Sequence, residues 1–157
     1  MKTDIEKILK VISETKDAEK LKGLIANAKR LGEKAVEEAA FKKLIEILPS
    51  EKPGTVEHDF WKTIHAFELA LTEERGKTTR LSRTRQKVTR VGEIKTLNDW
   101  ALSKNKTEGF EMLLERGMPE LTGEAIVLRH PSVFGDATRQ NARSKLIDAG
   151  VNVDNLT

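Results

Sequence analysis

Residues 55–76 read TVEHDFWKTIHAFELALTEERG. The large apolar side chains of this stretch recur at the spacing of one face of an α-helix. They are Phe60, Trp61, Ile64, Phe67 and Leu71. Thr55 or Glu57 is placed to begin the helix, and Gly76 is placed to end it. The stretch therefore predicts a long amphipathic helix with one face in a protein core.

The same helical spacing continues on both sides of this stretch, and strand patterns are nearly absent. No useful alternating apolar run occurs, and neither Asn-Gly nor Asp-Gly, the usual hairpin dipeptides, is present. Residues 49–54, PSEKPG, cannot continue a helix. We therefore predict an all-α protein of about eight short-to-medium helices. We expect three parts along the chain: a three-helix segment (1–48), a linker (49–54) and a main helical domain (55–157).

Composition excludes several classes of function. The chain has no cysteine and only three histidines among 157 residues, so disulfides, thiolate metal sites and cysteine nucleophiles are ruled out. His58 and His65 are seven apart and share a helix face, but a metal would need a third ligand. We expect no metal, no cofactor and no catalytic residue.

The sequence also argues against a membrane. No stretch approaches 18 uncharged residues, and the N-terminal residues contain no apolar signal core. We therefore expect a cytoplasmic protein with no membrane partner. No sustained heptad run is present, so an oligomer is not indicated.

The positive charge of the chain is confined to residues 75–95. This basic segment carries eight Lys or Arg and one acid, a net charge of +7, whereas the flanking parts each carry −2. From Lys77 to Arg90 there is no acid at all. Like charges along one helix repel each other, and an anionic partner would relieve that repulsion.

On a helix, four of these cations recur at i, i+3, i+7 and i+10 and would form one stripe. They are Arg80, Arg83, Lys87 and Arg90. Leu81, Val88 and Val91 form a different stripe that can pack on the protein body. The pattern predicts a basic amphipathic helix within 77–95 whose cations face outward.

The segment therefore favours nucleic-acid binding, with duplex DNA as the partner. Arg and Lys neutralise phosphates, and Gln can read a base edge. The candidate contact residues are Lys77, Arg80, Arg83, Arg85, Gln86, Lys87 and Arg90. Arg85 and Gln86 are the candidates for base contact. No aromatic residue lies in 75–95, which argues against single-strand binding by stacking.

The layout around this segment resembles a helix-turn-helix near 80–104. Helix 81–91, a turn at Gly92 and helix 96–104 are expected, although that turn is longer and more polar than the standard unit prefers. A variant in which helix 81–91 itself meets the DNA backbone fits the charges better.

Two other functions stay open. In the first, the chain is a helical-hairpin protein-interaction module whose basic segment docks an acidic protein surface. In the second, more remote, it is a metal-dependent nuclease that uses Glu93 and Lys95. Glu93 and Lys95 form a Glu-x-Lys triplet, which nucleases of that class hold on a strand beside another acid. Here a glycine turn and a helix start are expected instead. We therefore expect no enzymatic activity.

Overall fold

The structure, a computed structural model, describes residues 2–156 and is all-α over that range. Nine α-helices and two short 3₁₀ helices form, and no strand occurs within 2–156. This confirms the predicted all-α multi-helix fold. The α-helices are α1 (Lys2–Glu14), α2 (Ala18–Leu31), α3 (Lys34–Ile47), α4 (Val56–Arg75), α5 (Ser82–Val91), α6 (Glu93–Leu102), α7 (Glu108–Glu115), α8 (Gly123–Arg129) and α9 (Asp136–Asp148); the 3₁₀ helices are Pro119–Leu121 and Val153–Asn155.

The chain divides into two compact units, one up to Ser50 and one from Glu51 onward. The division falls within the stretch 49–54. In the first unit, α2 and α1 both pack against α3. The buried apolar side chains of this unit are Ile12, Leu21, Ala28, Val36, Ala40, Phe41, Leu44 and Ile45.

The second unit is built around α8. Residues 123–127 of this short helix are all buried, and the helix packs against α4, α6 and α9. The main core cluster contains Val56, Phe60, Ile64, Val88, Leu97, Ala101, Ile126, Val127, Phe134 and Ala142. Val88 is the one α5 residue in this set, so α5 lies at the edge of the unit with most of its surface outside the core.

Short polar side chains begin several helices. The hydroxyls of Thr55, Thr107 and Thr122 each accept a hydrogen bond, at 3.1 Å, from the backbone N–H three residues later. These bonds satisfy amides that a helix start leaves unpaired. They also show that Thr55, rather than Glu57, caps the helix predicted over residues 55–76. Helix α9, in contrast, begins at Asp136 after Gly135 and has no side-chain cap.

The basic helix begins at Ser82, within one residue of the predicted 81–91. Arg80 precedes it, so the prediction that Arg80 belongs to a helical stripe was wrong. Side chain–backbone hydrogen bonds hold residues 77–81 in a non-helical path. The N–H of Thr79 donates to the Thr72 hydroxyl at 2.9 Å, and the Thr79 hydroxyl donates to the Lys77 carbonyl at 3.0 Å. Such local bonds compete with helix formation.

Helix α6 begins at Glu93, three residues earlier than predicted, and Thr96 does not start it. Instead the buried Thr96 hydroxyl donates to the Gly92 carbonyl at 2.9 Å. Gly92 has φ 88° and ψ 168°, a conformation essentially limited to glycine. α5 and α6 are therefore joined by one residue, whereas a helix-turn-helix unit has a turn of about three or four.

Candidate nucleic-acid interface

One face of the basic segment is open to solvent. Arg83, Gln86 and Arg90 are exposed and spaced i, i+3 and i+7, which places them on one side of α5. Lys77 and Arg80, in the link before the helix, are exposed as well. We call these five residues the exposed basic surface. Within residues 2–156, no acidic side chain forms an ion pair with any of its four cations.

Arg85 faces the other way, toward α4. Its Nε donates to one carboxylate oxygen of Glu68 at 2.7 Å, and a terminal nitrogen donates to the other at 2.6 Å. The guanidinium also lies over the Trp61 ring, 5.2 Å from the ring centre. A two-point bond of this kind fixes both side chains. Arg85 is therefore committed to α4 and does not belong to the exposed basic surface.

Glu68 is held as a carboxylate despite its burial. Burial raises the pKa of Glu68, but the hydrogen bonds from Arg85 and from the backbone N–H of Leu81 outweigh it, and the net pKa lies below the ordinary value. The Leu81 N–H bond, at 2.8 Å, attaches the residue directly before α5 to α4. Glu68 thus receives three hydrogen bonds from the start of the basic helix.

Lys87 is also paired. Its ammonium lies 2.8 Å from the Asp99 carboxylate in α6, which accepts a second bond from Lys95 at 2.5 Å. The hydrogen bonds from both lysines lower the pKa of Asp99. One acid on α6 therefore offsets the charge on the flank of α5.

These contacts fix the rotation of α5 about its axis. Val88 packs into the core, Arg85 is bound on one side and Lys87 on the other. With those three positions held, Arg83, Gln86 and Arg90 are directed away from the protein. The first turn of α5 contains no acidic residue and no side-chain cap, so an incoming anion meets no acid on the helix there.

The sequence-predicted contact residues therefore fall into two groups. Five form the exposed basic surface, and two, Arg85 and Lys87, are engaged by acids. Sequence reasoning missed those acids. Glu68 did leave a signal, because it stands four residues after Ile64 and three before Leu71, on the apolar face of α4. No sequence pattern indicates that Asp99 pairs with Lys87, since this pairing depends on the angle at which α5 meets α6.

The residues considered for metal or acid–base chemistry have other contacts. Glu93 accepts a hydrogen bond from the Trp61 indole N–H at 3.1 Å. His58 is buried and His65 half-buried within α4. Across 2–156, no group of three or more histidine and acidic side chains is arranged to hold a metal ion. The geometry gives the nuclease hypothesis no support.

Comparisons with protein-family models, curated proteins and solved structures return no match for this chain. None of the helices in the described range is both long enough and apolar enough to span a lipid bilayer.

Proposed function

We propose that the protein binds double-stranded DNA through the exposed basic surface. One observation carries the proposal. Within residues 2–156, acids pair with the two cations that turn inward or sideways, Arg85 and Lys87, and no acid pairs with the four cations on the exposed face. An unpaired cluster of like charges costs free energy, which a polyanion would offset. We also propose that the protein is cytoplasmic, as predicted from the sequence.

The spacing of the cations suits a phosphate backbone. Arg83 and Arg90 are seven residues apart, which is about 10 Å along the helix axis. For a helix that lies parallel to the duplex axis, that length matches the axial rise of three nucleotides, about 3.4 Å each. The two guanidiniums can therefore contact separate phosphates of one strand, and Arg80 and Lys77 extend the contact beyond the start of α5. Phosphate contacts of this kind set position and supply affinity.

Gln86 lies between the two arginines on the same face. A glutamine amide can form paired hydrogen bonds with an adenine edge in the major groove. With Arg85 committed to Glu68, Gln86 is the remaining candidate for base contact. The proposal assigns phosphate contacts to the cations and base contact to Gln86.

The aromatic residues favour a duplex over a single strand. All seven phenylalanines and tryptophans are buried or half-buried, so none is exposed as a platform for base stacking. They are Phe41, Phe60, Trp61, Phe67, Trp100, Phe110 and Phe134.

Charge reversal tests the proposal. We expect the double variant Arg83→Glu/Arg90→Glu to bind a fluorescein-labelled duplex more than about tenfold more weakly than wild type at low salt. The matched control is Lys104→Glu/Lys106→Glu, which changes net charge equally at exposed positions outside the surface. Anisotropy titration measures both. Equal loss in the two variants would show that only net charge matters and would contradict a defined surface.

An acidic protein surface remains the second candidate, because it also presents clustered carboxylates to cations. The same titration separates the two. Failure of the wild type to bind duplex DNA at low salt would leave an acidic protein as the partner that accounts for the unpaired charge.

A further inference from the structure

A cavity of about 180 Å³ lies beneath the start of α5. Its walls come from four helices and the link before α5. The apolar wall residues are Phe67, Leu71, Leu81, Trp100 and Met112. Thr107 and Glu108, at the start of α7, also line it and are exposed, so the cavity opens there. The exposed basic surface does not include any of these residues.

The volume of the cavity sets the size of a ligand. An apolar cavity of about 150 Å³ is sufficient to hold a benzene ring. The cavity here is slightly larger, so one six-membered ring with a small substituent fits. Two aromatic residues, Trp100 and Phe67, and the thioether residue Met112 line the cavity, and such side chains favour an aromatic ring through ring–ring and sulfur–ring contacts.

The polar groups of the cavity define the substituent. Thr84, half-buried in the α5 wall, has a hydroxyl with no hydrogen bond to any residue in the described part of the chain. Glu108, an exposed residue of the cavity wall, carries a carboxylate that offers a second acceptor. A hydroxyl on the ligand can donate to either oxygen, and a partly buried polar group gains from such a bond.

Gly109 makes this arrangement sterically possible. A Cβ atom at this position would lie 2.3 to 2.8 Å from three atoms of the Phe67 ring. Because glycine has no Cβ atom, the Phe67 ring packs against the start of α7, and the space beside the ring stays open. The cavity therefore depends on a glycine in a defined place.

We propose that this cavity is a binding site for a small phenol, a single aromatic ring that carries one hydroxyl group. The ring occupies the space between Phe67, Trp100 and Met112, and the hydroxyl donates to Thr84 or Glu108 at the opening. The site is independent of DNA binding, and its test contains no DNA.

The two tryptophans provide an internal comparison. Trp100 lines the cavity, whereas Trp61 does not, and its indole N–H bonds to Glu93. In the ¹⁵N-labelled full chain, titration with p-cresol is expected to shift the Trp100 indole signal in a saturable way and leave the Trp61 signal in place. Equal shifts of both signals, or no shift, would overturn the proposal.

Two threonines on α5 give a matched pair of variants. Thr84→Leu places a larger apolar side chain in the cavity and is expected to weaken p-cresol binding by more than about tenfold. Thr89→Leu makes the same change at an exposed position of the same helix and is expected to bind like wild type. An unchanged Trp61 signal verifies folding of both. Unaltered binding by Thr84→Leu would overturn the assignment of the cavity.

Toluene tests the role of the hydroxyl, since it matches p-cresol in shape except for that group. We expect toluene to bind the wild type more weakly than p-cresol does. Equal affinity for the two molecules would overturn the assignment of a phenol.

Discussion

Glu68 is the residue on which the position of the basic helix most depends. Its side chain is 11% exposed, and its carboxylate accepts three hydrogen bonds, two from Arg85 and one from Leu81. A buried carboxylate is costly unless it is paired and hydrogen-bonded, and here both conditions are met. The same contact holds the half-buried Arg85 against α4 and so connects α4 to α5.

Replacing Glu68 by glutamine tests this role. The amide keeps the shape but loses the charge and cannot accept from all three donors. We expect Glu68→Gln to lower the free energy of unfolding by about 1.5–3 kcal/mol, the range for hydrogen bonds to charged groups. Urea denaturation followed by tryptophan fluorescence measures this change in stability, because both tryptophans lie in the second unit, which also contains Glu68. Glu74→Gln, exposed on the same helix, serves as control and should change stability by less than about 0.5 kcal/mol.

His65 gives the second unit a pH dependence. Burial lowers the pKa of His65 below its ordinary value of 6.5, the charges of Arg85 and Arg80 lower it further, and Glu68 and Glu51 oppose the shift. A histidine with a lowered pKa in the folded state contributes stability that is fully present above pH 6.5. That contribution is lost as the pH falls from there through the folded-state pKa.

We therefore expect acid to lower the free energy of unfolding of the His65→Gln variant less than that of wild type. The difference in unfolding free energy between the two proteins should shrink or reverse as the pH falls from about 7 to about 5.5. Urea titrations at a series of pH values in this range measure that difference. A difference that is constant with pH would show that folding does not lower the pKa of His65.

At the scale of the element, α5 and its junction with α6 determine the shape of the surface. The two helices meet at Gly92, whose φ of 88° with ψ of 168° excludes most side chains. Because one residue connects them, the direction of α5 relative to α6 depends on that conformation. The Lys87–Asp99 pair then joins the two helices further along.

Gly92→Ala tests the junction. Alanine in this backbone conformation is strained, and we expect a loss of about 1–3 kcal/mol in unfolding free energy. Gly135→Ala is the matched control, since Gly135 has φ −74° and a Cβ atom added there would meet no other atom within 4 Å. That variant should stay within about 0.5 kcal/mol of wild type. Similar losses in both variants would show that the conformation of Gly92 is not the cause.

Local signals predicted the helices well and their contacts poorly. The apolar spacing of residues 60–71 and the helix start at Thr55 depend on neighbours within one or two turns, and the structure confirms both. The start of α6 was predicted at Thr96 because its spacing to Asp99 imitates a cap. Both residues instead serve contacts with α5 and Gly92. Pairings between helices depend on packing angles, which the sequence alone does not specify.

At the scale of the whole molecule, the distribution of charge matters more than its total. The net charge is +3, yet residues 75–95 alone carry +7. The sequence predicted this segment as the functional surface but not which of its cations are available. Folding commits Arg85 and Lys87 to acids and leaves Lys77, Arg80, Arg83 and Arg90 on the surface. Four available cations therefore set the expected number of phosphate contacts.

The salt dependence of duplex binding counts those contacts most directly. For four phosphates, the logarithm of the association constant should fall with a slope of about −3.6 against the logarithm of salt concentration. The variant Arg83→Gln/Arg90→Gln should reduce the steepness by about 2. Anisotropy titrations across a salt series, on wild type and variant, measure both slopes. A wild-type slope near zero, or the same slope in both proteins, would contradict DNA binding through the exposed basic surface.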